Sequence, residues 1–163
     1  MNLEEILRKA QKWSEKLPDL EQYTERPWLE ISFGSPDNSS ILHLFNEGGE
    51  YLRSVNGDYI AGKWRILHNT NKLVIDKGEE RGFLYDLIFL NQDFFILEKH
   101  GPKDTFDEKY LFLIHEPLGK GLNQEEAWEL FAENTLYNNR VILWLAVFLF
   151  IIVGTIIYFI TGS

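Results

Sequence analysis

Three hydrophobic rhythms divide the chain. Leu3, Ile6, Leu7, Ala10, Trp13 and Leu17 recur at helical spacing with charged residues between them, the period of a one-sided helix. This predicts an amphipathic helix over 2–17, with Asn2 as its cap, Glu5 completing a capping box and Pro18 as its stop. From Pro27 the period shortens to two. Short apolar runs between polar turns predict eight strands, at 28–33, 40–45, 50–55, 62–67, 72–76, 83–90, 94–99 and 109–115. The turns at 46–49, 69–71 and 91–93 are rich in residues that tolerate left-handed backbone, whereas 77–82 and 101–107 are longer polar loops. Strands joined this way form an antiparallel meander, and eight is a count at which a meander closes into a small barrel. A two-sheet sandwich is the alternative.

Beyond Gly121 the helical period returns. Residues 123–137 predict a second helix, with Asn123 as cap, Glu125 and Glu126 in its first turn, and a partial stripe of Ala127, Trp128, Leu130 and Phe131. Then periodicity stops. Residues 141–160 read VILWLAVFLFIIVGTIIYFI, without a charge. As a helix this segment would be about 30 Å long, the thickness of a bilayer core. Fifteen of its residues are Leu, Ile, Val or Phe, which favours insertion by about 5–9 kcal/mol. The expected anchor runs from Val141 through Phe148 to Ile160, with Trp144 and Tyr158 near its interfaces and Arg140 at its boundary. Its small residues Ala146, Gly154 and Thr155 form no clean stripe for self-association. The expected organisation is a helix and linker over 1–26, a barrel over 27–117, a juxtamembrane helix over 118–140, a transmembrane helix over 141–160 and a tail over 161–163.

Some strands are apolar on both faces. In 83–90, Phe83, Tyr85, Leu87 and Phe89 oppose Leu84, Ile88 and Leu90; in 109–115, Tyr110, Phe112 and Ile114 oppose Leu111 and Leu113. Strands of this kind need cover on both sides. Phe45, Tyr51, Trp64, Tyr85 and Phe112 are the candidate barrel interior. Leu84, Ile88, Leu111 and Leu113 are the candidate outer face, which the two helices would cover only in part and which would then be a protein interface.

Charge and composition narrow the classes. The net charge is −9, which argues against a nucleic-acid partner and against a domain lying flat on anionic lipid. The absence of cysteine excludes disulfides, thiolate metal sites and Cys nucleophiles. The first twenty residues lack the unbroken apolar core of a signal peptide. The expected topology therefore keeps the domain on the cytoplasmic side of the inner membrane, with the C-terminus outside. His43, His68, His100 and His115 make no close pair and no metal motif. They read as structural residues. Asp86 interrupts an apolar strand and is expected to face outward or to be paired, with Arg65 and Tyr85 as the partners suggested for an inward position. No motif for catalysis, metal or cofactor is present, so neither an enzyme nor a cofactor is expected.

A set of spaced elements resembles the small bacterial lipocalin-like domains: Trp28, LHLFNEGGEY at 42–51, GKWRI at 62–66, KLVI at 72–75 and LYDLIFLNQDFFIL at 84–97. The resemblance implies an eight-stranded lipocalin-like β-barrel. The literal Gly-x-Trp falls at Gly62-Lys63-Trp64 rather than on the first strand. The expected function is a noncatalytic, tail-anchored, single-pass membrane protein whose barrel is a docking or assembly module with a protein partner. The alternative is a membrane-tethered binder of a lipid or small apolar ligand.

Overall fold

Alternation and tight turns carry the fold. At Asn56 and Gly57 both φ angles are positive, 52° and 98°, the geometry that matches a two-residue turn to the twist of a hairpin. Val55 therefore pairs directly with Asp58, and the fourth strand starts well before the expected residue 62. The computed structural model describes residues 3–18, 20–32, 40–68, 70–78, 82–101, 109–137 and 148–149. Its strands are β1 (Pro27–Glu30), β2 (Ile41–Phe45), β3 (Glu50–Val55), β4 (Asp58–Ile66), β5 (Lys72–Asp76), β6 (Phe83–Leu90), β7 (Phe94–Lys99) and β8 (Tyr110–His115). Each pairs antiparallel with the next, and β8 closes on β1. The sheet is a closed up-and-down barrel, not a sandwich.

Register assigns the faces. Trp28 lies opposite His43, Phe45 opposite Tyr51, Trp64 opposite Ile75, Leu73 opposite Tyr85, and Phe95 opposite Leu113. These side chains point inward and form the interior cluster with Leu17 and Tyr23. The other face of β6–β8 carries Phe89, Phe94, Ile96, Phe112 and Ile114 in a separate outer cluster.

Two face assignments are corrected here. On β8 the expectation is reversed: Leu111 and Leu113 point into the barrel, and Phe112 points out. Both faces of β8 are apolar, so its sequence offers no polar reference for choosing one. On β6 a bulge between Leu87 and Phe89 adds a residue against β7, which switches the faces beyond it. Leu87 and Leu90 therefore point inward and Phe89 outward. Leu84 and Ile88 do lie on the outer side but are half-buried, and Ile88 packs against the outer cluster.

The outer cluster is closed by helices. α1 (Leu3–Ala10) contributes Ile6, Leu7 and Ala10; α2 (Glu116–Gly119) follows β8; α3 (Gln124–Ala132) contributes Ala127 and Phe131 and runs into one π-turn, Glu133–Tyr137. Asn123 caps α3 through a full capping box: its Oδ1 accepts from Glu126 N–H (3.0 Å), while Glu126 Oε2 accepts from Asn123 N–H (2.9 Å). The outer face of β6–β8 is thus covered core rather than the partly open surface expected from the sequence.

The N-terminal helix is shorter than 2–17. After one 3-10 turn at Gln11–Trp13 the backbone becomes extended at Ser14. There Glu15 N–H donates to Leu90 O (2.8 Å), and Ser14 Oγ accepts from Leu90 N–H (2.9 Å). The bonds hold the segment against the end of β6 and deliver Leu17 to the barrel. Trp13, expected on the packed stripe, is 54 % exposed. The expected anchor at 141–160 lies outside the described residues except Phe148 and Leu149, as do Val141, Trp144, Gly154, Tyr158 and Ile160. Among the described residues no helix is long and apolar enough to cross a membrane.

Candidate functional site

The two ends of the barrel differ in chemistry. One end is plugged by the segment before β1. Tyr23 enters it and meets the rings of Phe45, Trp64 and Phe95 at centroid distances of 6.1, 5.6 and 5.1 Å. Polar atoms of the plug are satisfied locally: Tyr23 Oη donates to Leu17 O (2.9 Å), Trp28 Nε1 to Tyr23 O (2.9 Å) and Trp64 Nε1 to Asn46 O (2.9 Å). Phe45 also contacts Tyr51 (5.3 Å) and Phe95 (5.5 Å). Phe45, Tyr51, Trp64 and Tyr85 all sit in the interior cluster, and Phe112 sits outside it.

Above this aromatic floor polar side chains join apolar ones on the inward face. Glu30, two residues beyond Trp28, shares its face. His43 pairs with Arg53 across β2–β3, and Tyr85 pairs with Lys99 across β6–β7. Lys77 continues the inward face of β5 beyond Ile75 by alternation. Ile60, opposite Arg53, is 45 % exposed although it belongs to this face. The β3–β4 hairpin on this side therefore reaches solvent.

A hydrogen-bonded chain crosses three strands here. His43, fully buried, bonds through Nε2 to Glu30 Oε2 (2.7 Å) and through Nδ1 to Tyr51 Oη (2.6 Å). Burial pushes the His43 imidazole below its usual range, opposed by the Glu30 carboxylate. Burial also works to raise Glu30, but the His43 hydrogen bond and the charges of Arg53 and Lys77 outweigh it and hold the carboxyl below its usual range. Burial raises the Tyr51 hydroxyl. These directions agree with one protonation pattern. The ionised Glu30 accepts from Nε2–H, neutral His43 accepts at Nδ1, and Tyr51 donates.

Three cations share the same end. Arg53 and Lys77 both act electrostatically on Glu30 and His43. Lys99 Nζ lies 3.8 Å from the centroid of the inward Phe83 ring, and Lys77 Nζ lies 5.8 Å from it. The Nε of Arg53 is buried and has no hydrogen-bond partner among the described residues.

Asp86 faces outward on β6. Its partners are Lys72 and His100, not Arg65 or Tyr85. Burial raises its carboxyl, and hydrogen bonds from Lys72 and His100 more than reverse that. Sequence reasoning missed the Glu30–His43–Tyr51 chain. The signal was alternation itself: once Trp28, Phe45 and Tyr51 are placed inside, Glu30, His43 and Arg53 follow two residues away. Among the described residues no group of three His, Cys, Asp or Glu side chains could hold a metal ion. No protein-family model, curated protein or solved structure matches the chain.

Proposed function

We propose that the chain is a noncatalytic, membrane-tethered, lipocalin-like barrel that holds a small ligand at its open end. Residues 141–160 would be the tether, because twenty uncharged residues of helix length favour insertion. One observation carries the ligand reading: aromatic rings fill one end of the barrel, while among the described residues the inward face toward the other end holds Glu30, His43, Arg53, Lys77 and Lys99. Buried charge is costly, and a barrel serving only as a scaffold would fill both ends with apolar side chains. The binding role is favoured over catalysis because His43 is fully buried, with both ring nitrogens bonded to other side chains of the barrel.

A docking role is the second reading. The outer face of β6–β8 supports it less, since α1 and α3 pack on Phe89, Phe94, Ile96, Phe112 and Ile114 there. The β3–β4 hairpin does support it, because Tyr59 (75 % exposed) and Ile60 stand uncovered there. Native mass spectrometry of the full-length protein, released from mild detergent, separates the two. A small molecule retained at stoichiometric occupancy supports the ligand reading. Bare protein, with a second polypeptide held at fixed ratio, would replace it with docking.

A further inference from the structure

We infer that the turn around Trp13 docks on the headgroup layer of the bilayer that residues 141–160 enter, so that the barrel meets the membrane at a second point. The inference rests on the tether reading of residues 141–160 and adds to it the surface that faces the lipid.

The first observation is exposure. Trp13 continues the apolar stripe of α1, yet it is not packed. Bonds from Ser14 and Glu15 to Leu90 redirect the chain after the 3-10 turn Gln11–Trp13 and leave the indole 54 % exposed. Trp28 and Trp64, by contrast, are buried. An indole joins an apolar ring to one N–H donor. It favours the headgroup region, where the ring leaves water and the N–H meets oxygen acceptors.

The second observation is local charge. Arg8, Lys12 and Lys16 are exposed around the turn, and Lys9 is exposed and bonded to Glu5 (2.8 Å). Residues 8–16 thus hold four cations against Glu15 alone, within a chain of net charge −9. Long basic side chains lay their stems along apolar surface and reach phosphates with their heads. The acidity that argues against the whole domain lying on anionic lipid does not extend to this segment. Glu129 and Glu133, exposed on α3 and its π-turn, repel such lipid and limit the contact to the Trp13 side.

The third observation is position. α1 and α3 cross the outer face in the same direction. Glu4 pairs with Lys109, just before β8 (2.5 Å), and Ser14, beyond the end of α1, bonds to Leu90 on β6. Trp128 of α3 meets Phe112 on β8 at 6.3 Å, and Phe131, one turn on, meets Phe89 on β6 at 5.3 Å. Both helices therefore finish toward β6, and the π-turn after α3 packs against α1. From Tyr137 only residues 138–140 lead to the uncharged segment, a reach of at most about 14 Å when fully extended. The bilayer surface is thereby held close to the side on which Trp13 stands.

The test uses the full-length protein in nanodiscs of phosphatidylcholine with and without phosphatidylglycerol. The chain has no cysteine, so Gln11→Cys and Phe148→Cys each give one site for an environment-sensitive fluorophore. The probe at residue 148 should be quenched by lipid brominated in its tails, which reads the tether. The probe at residue 11, in the same turn as Trp13, should be quenched by lipid carrying a nitroxide at its headgroup. Trp13→Ser should cut that second quenching by about twofold or more without changing Tm. Lys12→Glu with Lys16→Glu should cut it further in the discs that contain phosphatidylglycerol than in those that do not. If residue 148 is quenched while residue 11 stays in water, or if Trp13→Ser leaves the quenching at residue 11 unchanged, docking is overturned and the tether stands. If residue 11 is shielded from water but not quenched by lipid, a second copy or another polypeptide covers Trp13 and lipid docking is overturned. If neither probe is quenched, tether and docking both fall.

Discussion

Replacing His43 by Gln should flatten the acid limb of the stability curve. The wild-type imidazole is fully buried and its pKa is lowered, so the folded state keeps it neutral where the unfolded chain protonates it. Below an unfolded pKa of about 6.5 the unfolded state then binds more protons than the native state, and stability falls with pH by up to about 1.4 kcal/mol per unit. The contribution is fully present above that pKa and is lost on acidification. The carboxylates whose pKa values are lowered, Glu4, Glu5, Glu30 and Asp86, act with the same sign but count mainly below about pH 5. The window between pH 5 and 6.5 therefore isolates histidine. His43→Gln can still donate to Glu30 and accept from Tyr51, so its fold should survive while its titration disappears. Guanidinium unfolding of the full-length protein in mild detergent, followed by tryptophan fluorescence, gives the free energy at pH 7.5 and pH 5.5. Wild type should lose about 1 kcal/mol more than the variant between these values. Parallel pH dependences for the two proteins would show that His43 is not held neutral by the fold, and the protonation pattern drawn for the chain would be wrong.

Two further predictions concern packing. Phe131 is fully buried and meets Phe89, Phe94, Phe112 and Trp128 at 5.3, 5.1, 5.7 and 5.4 Å; Phe131→Ala should cost about 3–5 kcal/mol in denaturant unfolding, and a loss below about 1 kcal/mol would mean that α3 does not clamp the outer face. Gly62 has no room for a side chain, since a Cβ would lie 2.0 Å from the Asp76 carbonyl oxygen across β4–β5. Gly62→Ala should destabilise by about 3 kcal/mol, the upper end of overpacking costs, and an unchanged Tm would contradict the register of that pair.

Strand positions were legible because turn chemistry and period-two alternation are local. Asn123 announced its helix for the same reason: a capping box is complete within four residues of sequence. Face assignment on β6 and β8 was not local. With apolar residues on both sides, Leu111 and Phe112 compete equally for the interior, and only pairing with β7 decides between them. The bulge at Leu87/Phe89 depends on β7 in the same way. The shortened first helix follows a similar rule: helical periodicity through Leu17 was real, but bonds from Ser14 and Glu15 to Leu90, far away in sequence, won over it. The candidate site was hidden for a related reason. Glu30, His43 and Tyr51 stand 13 and 8 residues apart, and only the barrel register brings them into bonding distance.

The burial pattern explains how the chain tolerates a charged end inside a barrel. Buried charge repays its desolvation poorly, so Glu30 and Arg53 make little net contribution to folding. Stability has to come from elsewhere, and the double-sided apolar strands supply it. β6, β7 and β8 bury Leu87, Phe95, Leu97 and Leu113 inward and Phe89, Phe94, Phe112 and Ile114 outward. They thus form the middle layer between an aromatic interior and a pair of helices. β1–β3 add Trp28, Phe45 and Tyr51 to the aromatic interior and carry the polar chain on the same inward face. Substitution of Arg53 should therefore act mainly on what this end recognises, whereas truncation of Trp28 or Phe45, or of the apolar residues of β6–β8, should act mainly on stability.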